Sequence, residues 1–71
     1  MKAEMYKYKA LDIVEDDLNE EHVKILMIKG KFYYYINLGQ MKTHRLQYRI
    51  FETRFTKLIR NEKDFNLILE V

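Results

Sequence analysis

The sequence predicts an α+β fold. The expected form is a small two-layer domain in the chain order β-β-β-α-β, with an antiparallel-rich sheet and one long amphipathic helix packed on it. Three observations carry this expectation. Residues 23–38 read as a β-hairpin around Gly30-Lys31. Residues 41–62 repeat their apolar positions at helical spacing. Residues 65–71 alternate, with Phe65, Leu67, Leu69 and Val71 on one side. At 71 residues the chain is a single domain, 1–71. A core of that size supplies only about 3–5 kcal/mol. With no cysteine, no disulfide can add to it.

The first strand is expected within residues 3–14, where Tyr6, Tyr8 and Ala10 alternate with lysines ahead of Leu11, Ile13 and Val14. An acidic turn follows at 15–21. Asp17-Leu-Asn-Glu20 has capping-box spacing and Gly30 stands where a helix would end, so 18–29 also has a helical reading. The β-branched Val23, Ile25 and Ile28 favour a strand, and Gly-Lys suits a type II′ hairpin turn. The hairpin register pairs Lys29 with Phe32, Met27 with Tyr34, Ile25 with Ile36 and Val23 with Leu38 on one face. Ile28 with Tyr33 and Leu26 with Tyr35 then form the other. Both faces are apolar, whereas a sheet covered on one side normally alternates apolar and polar.

In the helical reading of 41–62, His44, Tyr48, Phe51, Phe55, Leu58 and Ile59 share one arc, and Lys42, Arg45, Arg49 and Arg60 lie opposite. Asn61 to Asp64 then form a turn into a last strand at 65–71.

Little in the chain suggests chemistry. Serine and cysteine are absent and no threonine stands at the amino terminus, so the usual acyl-transfer nucleophiles are missing. The two histidines are far apart, too few for a metal site of three or four ligands. Two glycines cannot build a phosphate-cradling loop. The expectation is a protein that is not an enzyme and takes no cofactor or metal. The amino-terminal residues are charged, and no apolar run approaches the roughly 18 residues of a membrane span. A cytoplasmic protein is therefore expected.

Two surfaces remain as candidates. Leu26, Ile28, Tyr33 and Tyr35 would form an apolar patch suited to an interface, because tyrosine brings area and a hydroxyl at low entropy cost. That patch and the small size point to a homodimer that also occupies the surface of a partner protein. An accessory protein of a virus or mobile element is one concrete form. The second surface is the basic row Lys42, Arg45, Arg49 and Arg60, which could meet nucleic-acid phosphates but is also what a solvated helix face looks like. Charge is segregated along the chain: residues 12–21 hold six acids and no base, while 42–60 hold six cations against Glu52. Such asymmetry marks either an interaction surface or two segments that attract each other.

Overall fold

The computed structural model describes residues 5–62. Five strands, β1 (Asp12–Asp16), β2 (His22–Lys29), β3 (Phe32–Asn37), β4 (Lys42–Gln47) and β5 (Phe55–Asn61), surround one helix, α1 (Tyr48–Arg54). The strands form one sheet in the order β4-β3-β2-β1-β5, every neighbouring pair antiparallel. An α+β domain with an antiparallel sheet and a single helix is thus what the chain builds.

The long helix expected over 41–62 is not formed. Within that span Lys42–Gln47 is β4, hydrogen-bonded to β3, and Phe55–Asn61 is β5, paired with β1. Only seven residues are helical. The reason is visible in the core. A helix through Lys42–Gln47 would leave β3 with an open edge, whereas the strand pairs all six of its residues with Phe32–Asn37 in unbroken register. The first strand begins at Asp12, not near residue 3, and Tyr6 and Tyr8 cross the core face instead. The strand expected at 65–71 lies outside the described residues.

The hairpin forms as expected at its tip, with Lys29 opposite Phe32 and Met27 opposite Tyr34. Gly30 has φ of 63° and Lys31 has no positive φ, as a II′ turn requires. Beyond Met27 the register slips at Leu26, so Ile25 faces Tyr35 and Val23 faces Asn37. A bulge residue shifts the alternation by one. Ile25 and Ile28 consequently share a face with Tyr33 and Tyr35, although they stand three apart.

That shared face is the core. Val14, Val23, Ile25, Tyr33 and Tyr35 pack against Tyr48 and Phe51 of α1, Phe55 and Tyr8. Phe51 lies 4.5 Å from both Tyr33 and Phe55, centroid to centroid, and 5.1 Å from Tyr35. A seven-residue helix is about 10 Å long, whereas flat strands spaced about 4.8 Å apart would set the two edges roughly 19 Å apart. Since α1 runs directly from edge strand β4 into edge strand β5, the sheet must curl around it. The register shifts in β2 and in the β1–β5 pair sharpen that twist.

The segregated charges meet inside the fold. Acidic β1 pairs with basic β5, putting Glu15 opposite Lys57, and Arg54 binds Asp16. Much of the charge asymmetry is therefore spent internally.

Replacing Phe51 with Ala should cost about 3–5 kcal/mol, enough to abolish a cooperative unfolding transition in urea. Ile50→Ala, on the exposed side of α1, should change stability by about 0.5 kcal/mol or less. Tyr33→Asp should unfold the chain, while Tyr34→Asp should leave its circular dichroism intact.

Candidate binding surface

The expected apolar patch is divided by the sheet. Tyr33 is fully buried and Tyr35 is 5% exposed, while Ile28 packs against the core. Only Leu26, the bulge residue, is exposed at 41%. Burial of the tyrosines follows from the bulge, which aligns them with Ile25 on the helix side. The Tyr33 hydroxyl donates to Glu52 Oε2 at 2.5 Å and accepts from the Tyr8 amide at 3.1 Å. Burial raises its pKa above the ordinary tyrosine value, and the Glu52 carboxylate reinforces the effect. Glu52 Oε2 also accepts from the Lys7 amide at 2.7 Å. This network ties the amino-terminal segment to α1 and the sheet, and it is structural.

The basic row is also dispersed. Lys42 and Arg45 lie on β4 but pair with Asn37 and Tyr34, on opposite faces of the sheet. Arg49 is on α1, where its Nε donates to the Tyr48 hydroxyl at 3.1 Å. Arg60 sits on β5 at the far edge and reaches Glu62 at 3.2 Å. No single strip contains all four.

A cavity of about 280 Å³ opens on the helix side, lined in part by Glu21, Tyr35, Asn37, His44 and Arg54. Beside it, Asp16 is buried and accepts from Arg54 Nε at 2.7 Å and from the Leu18 and Asn19 amides at 2.7 and 3.0 Å. Burial alone would raise the Asp16 pKa. The bond from Arg54 and those from the two amides outweigh burial and hold the pKa below its ordinary value. Asn37 donates to Glu21 at 3.1 Å and accepts from the Gln40 amide at 2.9 Å. Among the described residues no buried side-chain N or O lacks a partner. Asp16, Asn37 and Glu21 are thus engaged in holding turns, while the His44 ring lies against Tyr35, 5.6 Å between centroids. No group of three or more His, Asp or Glu side chains among the described residues is placed to hold a metal.

The opposite face of the sheet is different in kind. Following the pairing from strand to strand, it carries Ile13 and Glu15 on β1, and His22, Lys24, Met27 and Lys29 on β2. It continues with Phe32, Tyr34 and Ile36 on β3, Thr43 and Arg45 on β4, and Lys57 and Arg60 on β5. Neither α1 nor residues 5–10 packs here, because both lie on the Tyr33 side. At one end Glu62 accepts from Lys24 at 3.4 Å and Arg60 at 3.2 Å, the two residues that flank Ile13 across the sheet, and Ile13 is 3% exposed. At the other end the surface stays open. Met27 is 46% exposed, and Phe32 and Tyr34 are half-buried. The Arg45 guanidinium lies over the Phe32 ring, 4.7 Å from its centroid. Arg45 has no carboxylate partner among the described residues. Leu26, Met27, Tyr34, Thr43 and Arg45 line an open groove of about 460 Å³.

Both faces of the hairpin are apolar as expected, but the one carrying Tyr33 and Tyr35 is the core and the one carrying Met27 and Tyr34 is open. Met27, Phe32, Tyr34 and Arg45 were therefore not singled out as one surface. The signal that could have found them was Tyr34-Met27 pairing beside the Gly30 turn, which the bulge leaves untouched. No protein-family model, curated protein or solved structure matches this chain. Among the described residues no helix is long and apolar enough to cross a membrane.

The Asp16–Arg54 pair sets an acid limit on stability. A carboxylate with a depressed folded-state pKa stabilises the fold fully above its ordinary value of 3.8, and loses that contribution as pH falls through the folded value. Stability measured by urea unfolding should therefore drop in acid more steeply for the parent than for Asp16→Asn. Arg54→Ala should cost about 2 kcal/mol at neutral pH, the worth of a hydrogen bond to a charged group.

Proposed function

We propose that this is a non-enzymatic binding protein of the cytoplasm, acting through the open face of its sheet on an acidic surface of a partner protein. One observation carries the reading: exposed Met27 and half-buried Phe32 and Tyr34 form an apolar centre, with Arg45 lying over Phe32 and without a carboxylate partner among the described residues. The composition of this face matches an interface. Aromatic residues, methionine and arginine are the types enriched at interface centres. The cations Lys24, Lys29, Arg45, Lys57 and Arg60 outnumber the acids Glu15 and Glu62 on it. The Arg45 guanidinium over Phe32 carries a fork of donors, the group that grips a carboxylate bidentately.

Charge also argues about who the partner is. Two copies pressed face to face would bring like charges together in a desolvated contact, which costs affinity. A homodimer through Tyr33 and Tyr35 has lost its basis, because both rings are in the core. Nucleic acid would meet the same cations. Yet base stacking needs free aromatic faces, and the face of Phe32 is occupied by Arg45. An acidic protein surface fits better.

Titrating the protein with poly-L-glutamate at low salt should shift the amide signals of Met27, Phe32, Tyr34 and Arg45 in nuclear magnetic resonance spectra. Arg45→Glu should weaken binding about tenfold. Light scattering should give the mass of a monomer. Oligodeoxythymidine binding more tightly than poly-L-glutamate at about 150 mM salt would replace this reading with a nucleic-acid one. A dimer that Met27→Glu dissociates would replace it with self-association.

A further inference from the structure

We propose that the partner's acidic segment binds in extended form along β4, adding a strand to the sheet beside Arg45; this rests on the open-face reading above. Among the described residues the sheet has two edges, β4 and β5, and they are not equivalent. Pairing of β5 with β1 is broken by two register shifts, and its Arg60 is engaged by Glu62. Bulges twist an edge away from straight partners and are a common protection against strand addition. β4 has no such device. Its six residues pair with β3 without a shift, contain neither proline nor glycine, and are exposed from Lys42 to Arg45. A regular, exposed edge is the template on which extended peptides dock through main-chain hydrogen bonds.

What guards β4 is charge, and charge selects the occupant. Lys42 and Arg45 project to opposite faces, and the strand contains no carboxylate. Pairing β4 with its own copy would bring four cations and no anion into one ladder, where like charges opposite each other are destabilising. An acidic strand reverses the sign. In an alternating strand the carboxylates share one face, and they meet Arg45 on the open face. Main-chain bonds then supply affinity, and the Arg45 charge supplies selectivity.

The test uses the whole protein and a short capped peptide of alternating valine and glutamate. Two analogues are N-methylated on alternate residues, one at the valines and one at the glutamates, so that each loses the donors of one edge. A fourth peptide replaces glutamate with glutamine. The parent peptide should bind and slow hydrogen exchange at β4 amides. One methylated analogue should bind about tenfold more weakly or worse, while the other holds within about twofold. The glutamine peptide should bind about tenfold more weakly. If both methylated analogues bind like the parent, or if β5 amides are protected instead, strand addition at β4 is overturned, while a weak glutamine peptide leaves the acidic-partner reading standing. Equal binding of the glutamine and glutamate peptides overturns that reading itself. Absence of binding by every peptide at low salt overturns both.

Discussion

The burial of Phe51 is the constraint on which the rest of the structure depends. Seven residues are too few for a helix to persist in water on its own, and α1 has neither a side-chain cap at Gln47 nor an acidic residue in its first turn. It is helical because that conformation puts Phe51 between Tyr33, Tyr35 and Phe55. Everything around it adjusts to the shortness of the connection. The sheet curls so that β4 and β5 can both reach the helix, and Tyr8 closes the remaining side, with its hydroxyl donating to the Phe55 carbonyl at 2.7 Å. The Asp16–Arg54 bond pins the far end of the helix where it turns into β5. Tyr6 closes the near end by donating to the Gly30 carbonyl.

A helix this short can cover only one face, and that explains the chemistry of the other. The open face cannot be wholly apolar without risking aggregation, and it is not polar enough to be inert. It carries basic side chains among its apolar ones. Lys24 and Arg60 form ion pairs with Glu62, and Arg45 lies over Phe32 with no carboxylate partner among the described residues. The difference between the two ends of this face is the difference between a closed surface and an available one. The acidic stretch, by contrast, is largely consumed. Asp12 accepts from the Lys9 amide at 2.9 Å and from Asn61 at 2.7 Å, Asp16 holds a turn and Arg54, and Glu15 lies near His22 at 3.2 Å. Its cationic counterpart on β4 has no equivalent use within the described fold.

The legible and illegible parts of the sequence divide along physical lines. The hairpin tip was legible because Gly30 and the β-branched and aromatic residues around it state their preference locally. Its far half was not, because a bulge at Leu26 is a response to what packs on the sheet and leaves no glycine or proline as a mark. Tyr48, Phe51 and Phe55 were correctly grouped, since they do line one side of a helix and its exit. The error lay in extending that helix at both ends. His44 and Leu58 share the same angular arc, and no turn residue separates strand, helix and strand. Gln47 passes straight into α1, and Phe55 is at once the helix cap and the first residue of β5. Lys42–Gln47 has poor intrinsic strand preference, and only pairing with β3 makes it a strand. That is tertiary context overriding propensity.

The same argument explains why the candidate surface escaped a periodicity reading. A basic row on a helix is visible as spacing, but Arg45 over Phe32 is a contact between two strands joined by a turn, and it exists only once β4 is a strand. Strand formation moves Lys42 and Arg45 to opposite faces, dissolving the row, and the same step sets Arg45 beside Tyr34 and Phe32. The regular edge and the basic aromatic face are therefore two consequences of one choice of backbone at residues 42–47. A substitution that drove this segment back toward helix would remove both together, whereas removing the Arg45 charge leaves the edge in place. That separability is why the peptide-backbone contribution and the charge contribution at this surface can be measured apart.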